Sequence, residues 1–288
     1  MQILNYFTEP LSHIFMQHAL LSAVAVGAVC AVLSCFVVLK GWSLMGDAIS
    51  HAVFPGVVIA AWLGLPVFFG AFVAGLFCAV SVGYLKNNTR IKEDTLMGVI
   101  FAGMFAFGLV IFTKIDTEQH LKHILFGNLL GVDREMLWQT AVVCGLVLLL
   151  VLLKAKDLLM YCFDVSHTRV VGLSPKLLHY GLLVLLSATI VMAMQAVGVI
   201  LVVAMLISPG ITAFVLCKRF IPMLVVAVLS SCLTSVLGAI LSYHLDSATG
   251  ATIVLLQAIS FMVAVIIAKL KEKLNTQSII NANSKLIH

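Results

Sequence analysis

The chain has 288 residues, 62% of them hydrophobic and only 10% charged, with a mean hydropathy of +1.16. A water-soluble domain carries about 25% charged residues, so this composition excludes a soluble globular protein and calls for lipid as the solvent. The net charge of +5 does not point to nucleic acid, because the basic residues sit in short loops between apolar runs.

Charged residues mark the boundaries of the predicted elements. The opening Met1 to Pro10 has no basic n-region, so the first span, Ala19 to Leu39, is expected to be retained rather than cleaved. Residues 42–85 hold two spans, split at Leu63-Gly-Leu-Pro66, where Gly and Pro mark a turn. Thr95 to Thr113 is the fourth span and Met136 to Leu153 the fifth, separated by the polar segment Lys114 to Glu135. After a long loop from Lys154 to His179 comes Tyr180 to Cys217, 38 uncharged residues. That is too long for one helix and fits two with a turn near Gln195 to Gly198. Phe220 to Tyr243 and Ser247 to Ala268 complete an all-α, polytopic helical bundle of about nine transmembrane helices. Residues 1–274 form a single membrane domain, and 275–288 are expected as a flexible cytoplasmic tail.

Charge asymmetry orients the bundle. With the tail in the cytoplasm, the cytoplasmic segments carry 14 Lys and Arg against three (Lys114, Lys122, Arg134) on the other side, as the positive-inside tendency requires. Reading 180–217 as one span gives eight helices and places Lys218-Arg219 on the wrong side. The seven cysteines lie scattered, mostly in apolar runs, with no Cys-x-x-Cys pair, and read as small packing residues.

One stretch stands apart. In Lys40 to Gly56, Asp47 and His51 are four residues apart inside a run that is long enough to cross a bilayer, so on a helix both share a face, about 6 Å apart. Counting from Gly41 puts Asp47 about 9 Å and His51 about 15 Å into the membrane. Ionisable groups at that depth are costly and mark a functional site. Pro55 has no N–H to bond the His51 carbonyl, which adds an oxygen to a carboxylate and an imidazole. Such donors suit Mn²⁺, Fe²⁺ or Zn²⁺, and the absence of a neighbouring Cys argues against Cu(I). Met45 lies about 160° from Asp47 around a helix and reads as packing. The other use of the pair is a hydrogen bond that only glues the bundle.

The motif Gly41-Trp-Ser-Leu-Met-Gly-Asp-Ala-Ile-Ser-His-Ala-Val-Phe-Pro-Gly56 resembles the signature of the permease subunits of ABC-type manganese, iron and zinc importers. The likeness continues through Lys92-Glu-Asp-Thr-Leu-Met-Gly98, His123-Ile-Leu-Phe-Gly-Asn-Leu-Leu-Gly131, Val197-Gly-Val-Ile-Leu-Val-Val-Ala204, Ser208-Pro-Gly210 and Ser242-Tyr-His-Leu-Asp-Ser-Ala-Thr-Gly250. In particular it is similar to the permeases of chelated iron and manganese systems of Gram-negative bacteria. The resemblance implies a type II importer-like permease in the bacterial inner membrane, with Asp47 and His51 as metal ligands on the ion path. It also implies a second permease copy, identical or paralogous, a cytoplasmic ATP-binding subunit, and an extracytoplasmic metal-binding protein. No tightly bound cofactor is expected; Mn²⁺, Fe²⁺ or Zn²⁺ is the cargo.

The chain has no Gly-x-x-x-x-Gly-Lys-Ser/Thr, His-Glu-x-x-His or Gly-x-Ser-x-Gly, so it is not read as an enzyme and a partner must supply the energy. The segment Phe163-Asp164-Val-Ser-His-Thr-Arg169-Val-Val-Gly172-Leu173 resembles the coupling helix of such importers, with Asp164, Arg169, Gly172 and Leu173 matching its pattern and Thr168 standing where the family commonly has Ala. On physical grounds Asp164 suits a helix N-terminus and Gly172 a helix end. On the outer side His120 and His123 sit at helical spacing and are weighed as an outer metal-capture pair, against a solvated loop carrying Lys122. The competing function is a proton-coupled secondary metal transporter, which is less suited to a chain whose only acid within the spans is Asp47.

Overall fold

All regular structure among the described residues is helical. The computed structural model describes residues 9–286 apart from 11, 43 and 115–130, with side chains described outside 87, 93, 94 and 274–286. Twelve helices are formed by the described residues: α1 (Ile14–Lys40), α2 (Met45–Ala52), α3 (Phe54–Leu63), α4 (Val67–Asn88), α5 (Glu93–Phe112), α6 (Arg134–Leu153), α7 (Ala155–Phe163), α8 (Val165–Val170), α9 (Pro175–Val197), α10 (Val199–Leu216), α11 (Phe220–His244) and α12 (Thr249–Leu286). Among the described residues nine segments are long and apolar enough to cross a membrane, with α2 and α3 together forming the second.

The turn residues set the breaks. Gly64 (φ 67°) closes α3 and Pro66 precedes α4, the split expected from Leu63 to Pro66. Gly198, at φ 85°, separates α9 from α10, so 180–217 holds two helices and the eight-helix reading falls. Asp246 adopts a positive φ of 47° in the turn between α11 and α12, a conformation that Asp tolerates better than most residues. Helix α12 continues to Leu286, through the stretch expected as a flexible tail. No Gly or Pro follows Gly250, so nothing in the sequence stops the helix from propagating.

Helix α1 is the central post. About 72% of its membrane window is buried, and α6, α7, α9, α10 and α11 all pack on it. Small side chains bring these helices close, as is usual where lipid supplies no hydrophobic drive for association. Ser231 Oγ on α11 donates to the Gly27 carbonyl at 2.9 Å. Ser34 Oγ donates to the Ile207 carbonyl at 3.3 Å and accepts from the Gly210 N–H at 2.9 Å. Pro209 interrupts the backbone ladder of α10 there, because it has no N–H for the Met205 carbonyl, and Ser34 bonds the groups on either side of it. Ser208-Pro209-Gly210 is therefore a clasp between α10 and α1. Helices α3 and α4 cross at Gly56 and Gly70, where a methyl group on Gly56 would meet the Gly70 carbonyl and lie 2.6 Å from Ala74 Cβ.

Candidate metal site and coupling surface

Asp47 occupies the first turn of α2 and His51 its last, so the helix dipole favours negative charge at the first and positive charge at the second. The side chains meet: His51 Nε2 lies 3.3 Å from Asp47 Oδ1. Neither is sealed in the bundle. Asp47 keeps 39% and His51 37% of its side-chain surface exposed, whereas Met45 on the opposite face is buried at 1%, as expected of a packing residue.

The chain is broken at Val53, between α2 and α3. Pro55 explains it, since its ring displaces the carbonyl four residues back and offers no N–H in return. The Val53 N–H bonds the Ile49 carbonyl at 3.0 Å. Helix α5 forms the wall beside the pair. The His51 ring lies 5.9 Å from Phe101 and 5.6 Å, edge-on, from Phe105, and Phe54 packs on Phe105 and Phe112. Gly108 allows this contact, because a methyl group there would fall 2.6 Å from the Phe54 ring.

Chemically the site offers one carboxylate and one imidazole on an aromatic wall. Among the described residues no group of three or more His, Cys, Asp or Glu converges. A first-row divalent ion usually takes four or more donors, so the pair alone would make up only part of a coordination shell. His120 and His123 lie outside the described residues.

The four residues matched to the coupling pattern come together on α8, away from α2. Asp164 is the N-cap: its Oδ1 accepts from the Ser166 N–H at 2.8 Å and the His167 N–H at 3.0 Å. Those two donors hold its carboxyl below the usual carboxylate range. At the other end, Gly172 adopts φ 85°. Its N–H bonds the Arg169 carbonyl at 3.0 Å, while Leu173 N–H bonds the Thr168 carbonyl at 3.1 Å, a Schellman closure that a residue with a Cβ enters at a cost. Thr168 is fully buried, its hydroxyl donating to the Asp164 carbonyl at 2.7 Å, so it faces the bundle and leaves the outer surface of α8 to other residues. Around it Arg169, Val170 and Val171 are exposed, the last two at 84% and 53%, as is Phe163 at the end of α7, at 71%. Apolar groups this exposed, beside polar ones, mark a contact surface.

The family model described as the ABC 3 transport family matches residues 12–268. The chain belongs to that family. The chelated iron transport system membrane protein YfeD of Yersinia pestis is 60% identical over 269 residues, covering 93% of this chain and 91% of its own. The manganese transport system membrane protein MntB of Synechocystis is 48% identical over 262 residues, covering 91% and 86%. The structure titled PsaBC from Streptococcus pneumoniae in complex with Fab contains a chain superposing with a TM-score of 0.82 at 38% identity, covering 93% of this chain and 99% of that one. This ABC 3 chain is thus a multi-pass ABC-transporter permease subunit, and its relatives lend no support to the proton-coupled alternative.

Sequence reasoning did not find two features of this permease. The Ser34 clasp on Gly210 joins residues 176 apart in the chain, and no local pattern announces it. A cluster of Trp42, Tyr161 and His179, with Tyr161 Oη 2.9 Å from His179 Nδ1, gathers residues from the α1–α2 turn, α7 and α9.

Proposed function

We propose that this chain is the membrane permease of an ATP-driven importer of divalent transition-metal ions, taking Mn²⁺ or Fe²⁺, with Zn²⁺ the third cargo compatible with the donors. The observation that carries the reading is the half-exposed Asp47–His51 pair inside a span, in a chain whose relatives are named for chelated iron and manganese transport. A carboxylate oxygen and an imidazole nitrogen bind all three ions. The neutral imidazole is the ligating form, and the adjacent carboxylate would fix its orientation or share the ion. Two such pairs, facing each other from two permease copies, would complete a four-donor site. The copies are identical or paralogous.

ATP hydrolysis belongs in this reading to a separate subunit that seats α8, through Arg169 and the exposed apolar residues around it, with Asp164, Gly172 and Leu173 holding the helix in shape. Movement of α8 would pass through α7 and α9 to α1 and α2, which they touch, and change which side of the membrane reaches the ion. An extracytoplasmic binding protein delivers the metal, and the C-terminus lies on the cytoplasmic side of a bacterial inner membrane, as the 14-to-3 charge asymmetry favours.

The test is uptake of Mn²⁺, Fe²⁺ and Zn²⁺ by cells carrying the permease with its ATP-binding and metal-binding partners. Asp47→Ala should lower uptake of the cargo by more than about tenfold, the lower bound seen when even outer-shell partners of a metal are removed, with membrane abundance unchanged. Undiminished uptake by that variant would reduce the pair to structural glue.

A further inference from the structure

At the end of the bundle that carries α7 and α8, a cavity of about 290 Å³ opens among α1, α4, α7, α8 and α9. Four cations converge on it: Lys40 from the end of α1, Lys86 from the end of α4, Arg169 from α8 and Lys176 from the start of α9. No acid stands among the described residues that line it. Lys86, Arg169 and Lys176 make no ion pair among the described residues, and like charges around a partly apolar cavity repel one another unless an anion lies between them.

The wall is built around neutral donors as well. Trp42 lines the cavity and is 1% exposed, yet its Nε1–H finds no acceptor among the described residues. A buried donor left unmatched is costly, and an acceptor brought to the cavity wall would relieve that cost. The Trp42 ring meets the His179 ring edge-on at 5.2 Å, and His179 is held in turn by the Tyr161 hydroxyl at 2.9 Å. Lys40 Nζ sits 3.9 Å above the Tyr161 ring and 3.4 Å from the Tyr161 carbonyl, so its position is set by packing. Gly83 leaves room for this arrangement, since a methyl group there would lie 2.8 Å from His179 Nε2.

We propose that this cavity binds an anionic phosphate group, and that the group is the phosphodiester of an acidic membrane phospholipid. Its position favours the lipid source. Three membrane-spanning helices end or begin at the cavity, which places it at headgroup level, and next to Gly83 and Lys176 the side chains of Tyr84 and Leu177 are exposed at 63% and 74%. A basic pocket beside an outward apolar surface fits a headgroup with its acyl chains better than it fits a fully hydrated ion or an acidic loop of a partner. A phosphate held there would join α8 to the ends of α1, α4 and α9.

The three tryptophans provide the probe. Trp62 and Trp138 are both largely exposed, so the full-length chain carrying Trp62→Phe and Trp138→Phe reports from Trp42 alone. In detergent, short-chain phosphatidylglycerol should change Trp42 fluorescence saturably, at concentrations about tenfold or more below those needed for phosphatidylcholine of the same chain length. Lys86→Gln with Lys176→Gln should weaken the response by about tenfold, and Lys86→Arg with Lys176→Arg should preserve it. Inorganic phosphate saturating the same change at similar concentrations would uphold a phosphate-group site and overturn the lipid as its source. Equal responses to the two lipids, or none to any probe, would overturn the proposal without reference to the variants. Mass spectrometry of the transporter assembled with its ATP-binding subunit supplies the last arm. Retained acidic phospholipid that is lost on Lys86→Gln/Lys176→Gln supports the site, whereas none retained in the wild-type assembly means that the partner fills the cavity and the lipid assignment fails.

Discussion

At the scale of single residues, Asp164 shows how a short helix is held in shape by its cap. Its carboxylate accepts two backbone N–H groups, which favours the charged form and holds its pKa below the ordinary 3.8. A depressed folded-state value means that the cap contributes above 3.8 and is lost as pH falls through the lower folded value. Acidification from neutrality should therefore leave the cap of α8 intact down to 3.8 and weaken it progressively below that. Asp164→Ala should lower permease-stimulated ATP hydrolysis by the partner several-fold, while Asp164→Asn should keep most of it, because Asn caps about as well. Equal losses in the two variants would assign Asp164 a direct charge contact instead. The Asp47–His51 pair belongs to the same scale. Its spacing in the sequence sufficed to place the two side chains together, since four residues on a helix leave little choice.

At the scale of elements, the close crossings make the strongest demands on side-chain size. Gly56→Val would force a branched side chain into the Gly70 backbone, an overpacking that costs about 3 kcal/mol or more. The expected outcome is loss of folded permease from the membrane, read as a lower thermal midpoint in detergent or no purified protein. Gly145, which has nothing within 4 Å of a built methyl, should accept Val with no such loss. Gly172→Ala tests the end of α8: a left-handed residue with a Cβ costs about 1 kcal/mol. It should reduce ATPase stimulation while leaving metal binding at Asp47 and His51 unchanged, as measured by calorimetry.

At the scale of the whole molecule, the incomplete donor set of the proposed site would set the stoichiometry. With no third His, Cys, Asp or Glu beside the pair among the described residues, a shared site predicts one metal ion for every two permease chains, countable by elemental analysis of the purified dimer. One ion per chain would place a complete site elsewhere in each subunit. Orientation is tested here too: Glu272→Cys, beyond the apolar part of α12, should react with a membrane-impermeant thiol reagent only from the cytoplasmic side.

The span count, the turns at Gly64 to Pro66 and at Gly198, and the pairing of Asp47 with His51 can be read along the sequence, because each depends on local rules: bilayer thickness, backbone dihedrals and helical periodicity. The caps of α8 at Asp164 and Gly172 are legible for the same reason. The central place of α1 and the Ser34 clasp at Pro209 emerge from the folded bundle alone. So do the inward turn of Thr168 and the meeting of Lys40, Lys86, Arg169 and Lys176 at one cavity. Those facts depend on which helix faces meet. In a membrane nearly every face is apolar, so hydropathy patterning carries little of that information, and the choice falls to small-residue packing and a few buried hydrogen bonds between residues far apart in the chain.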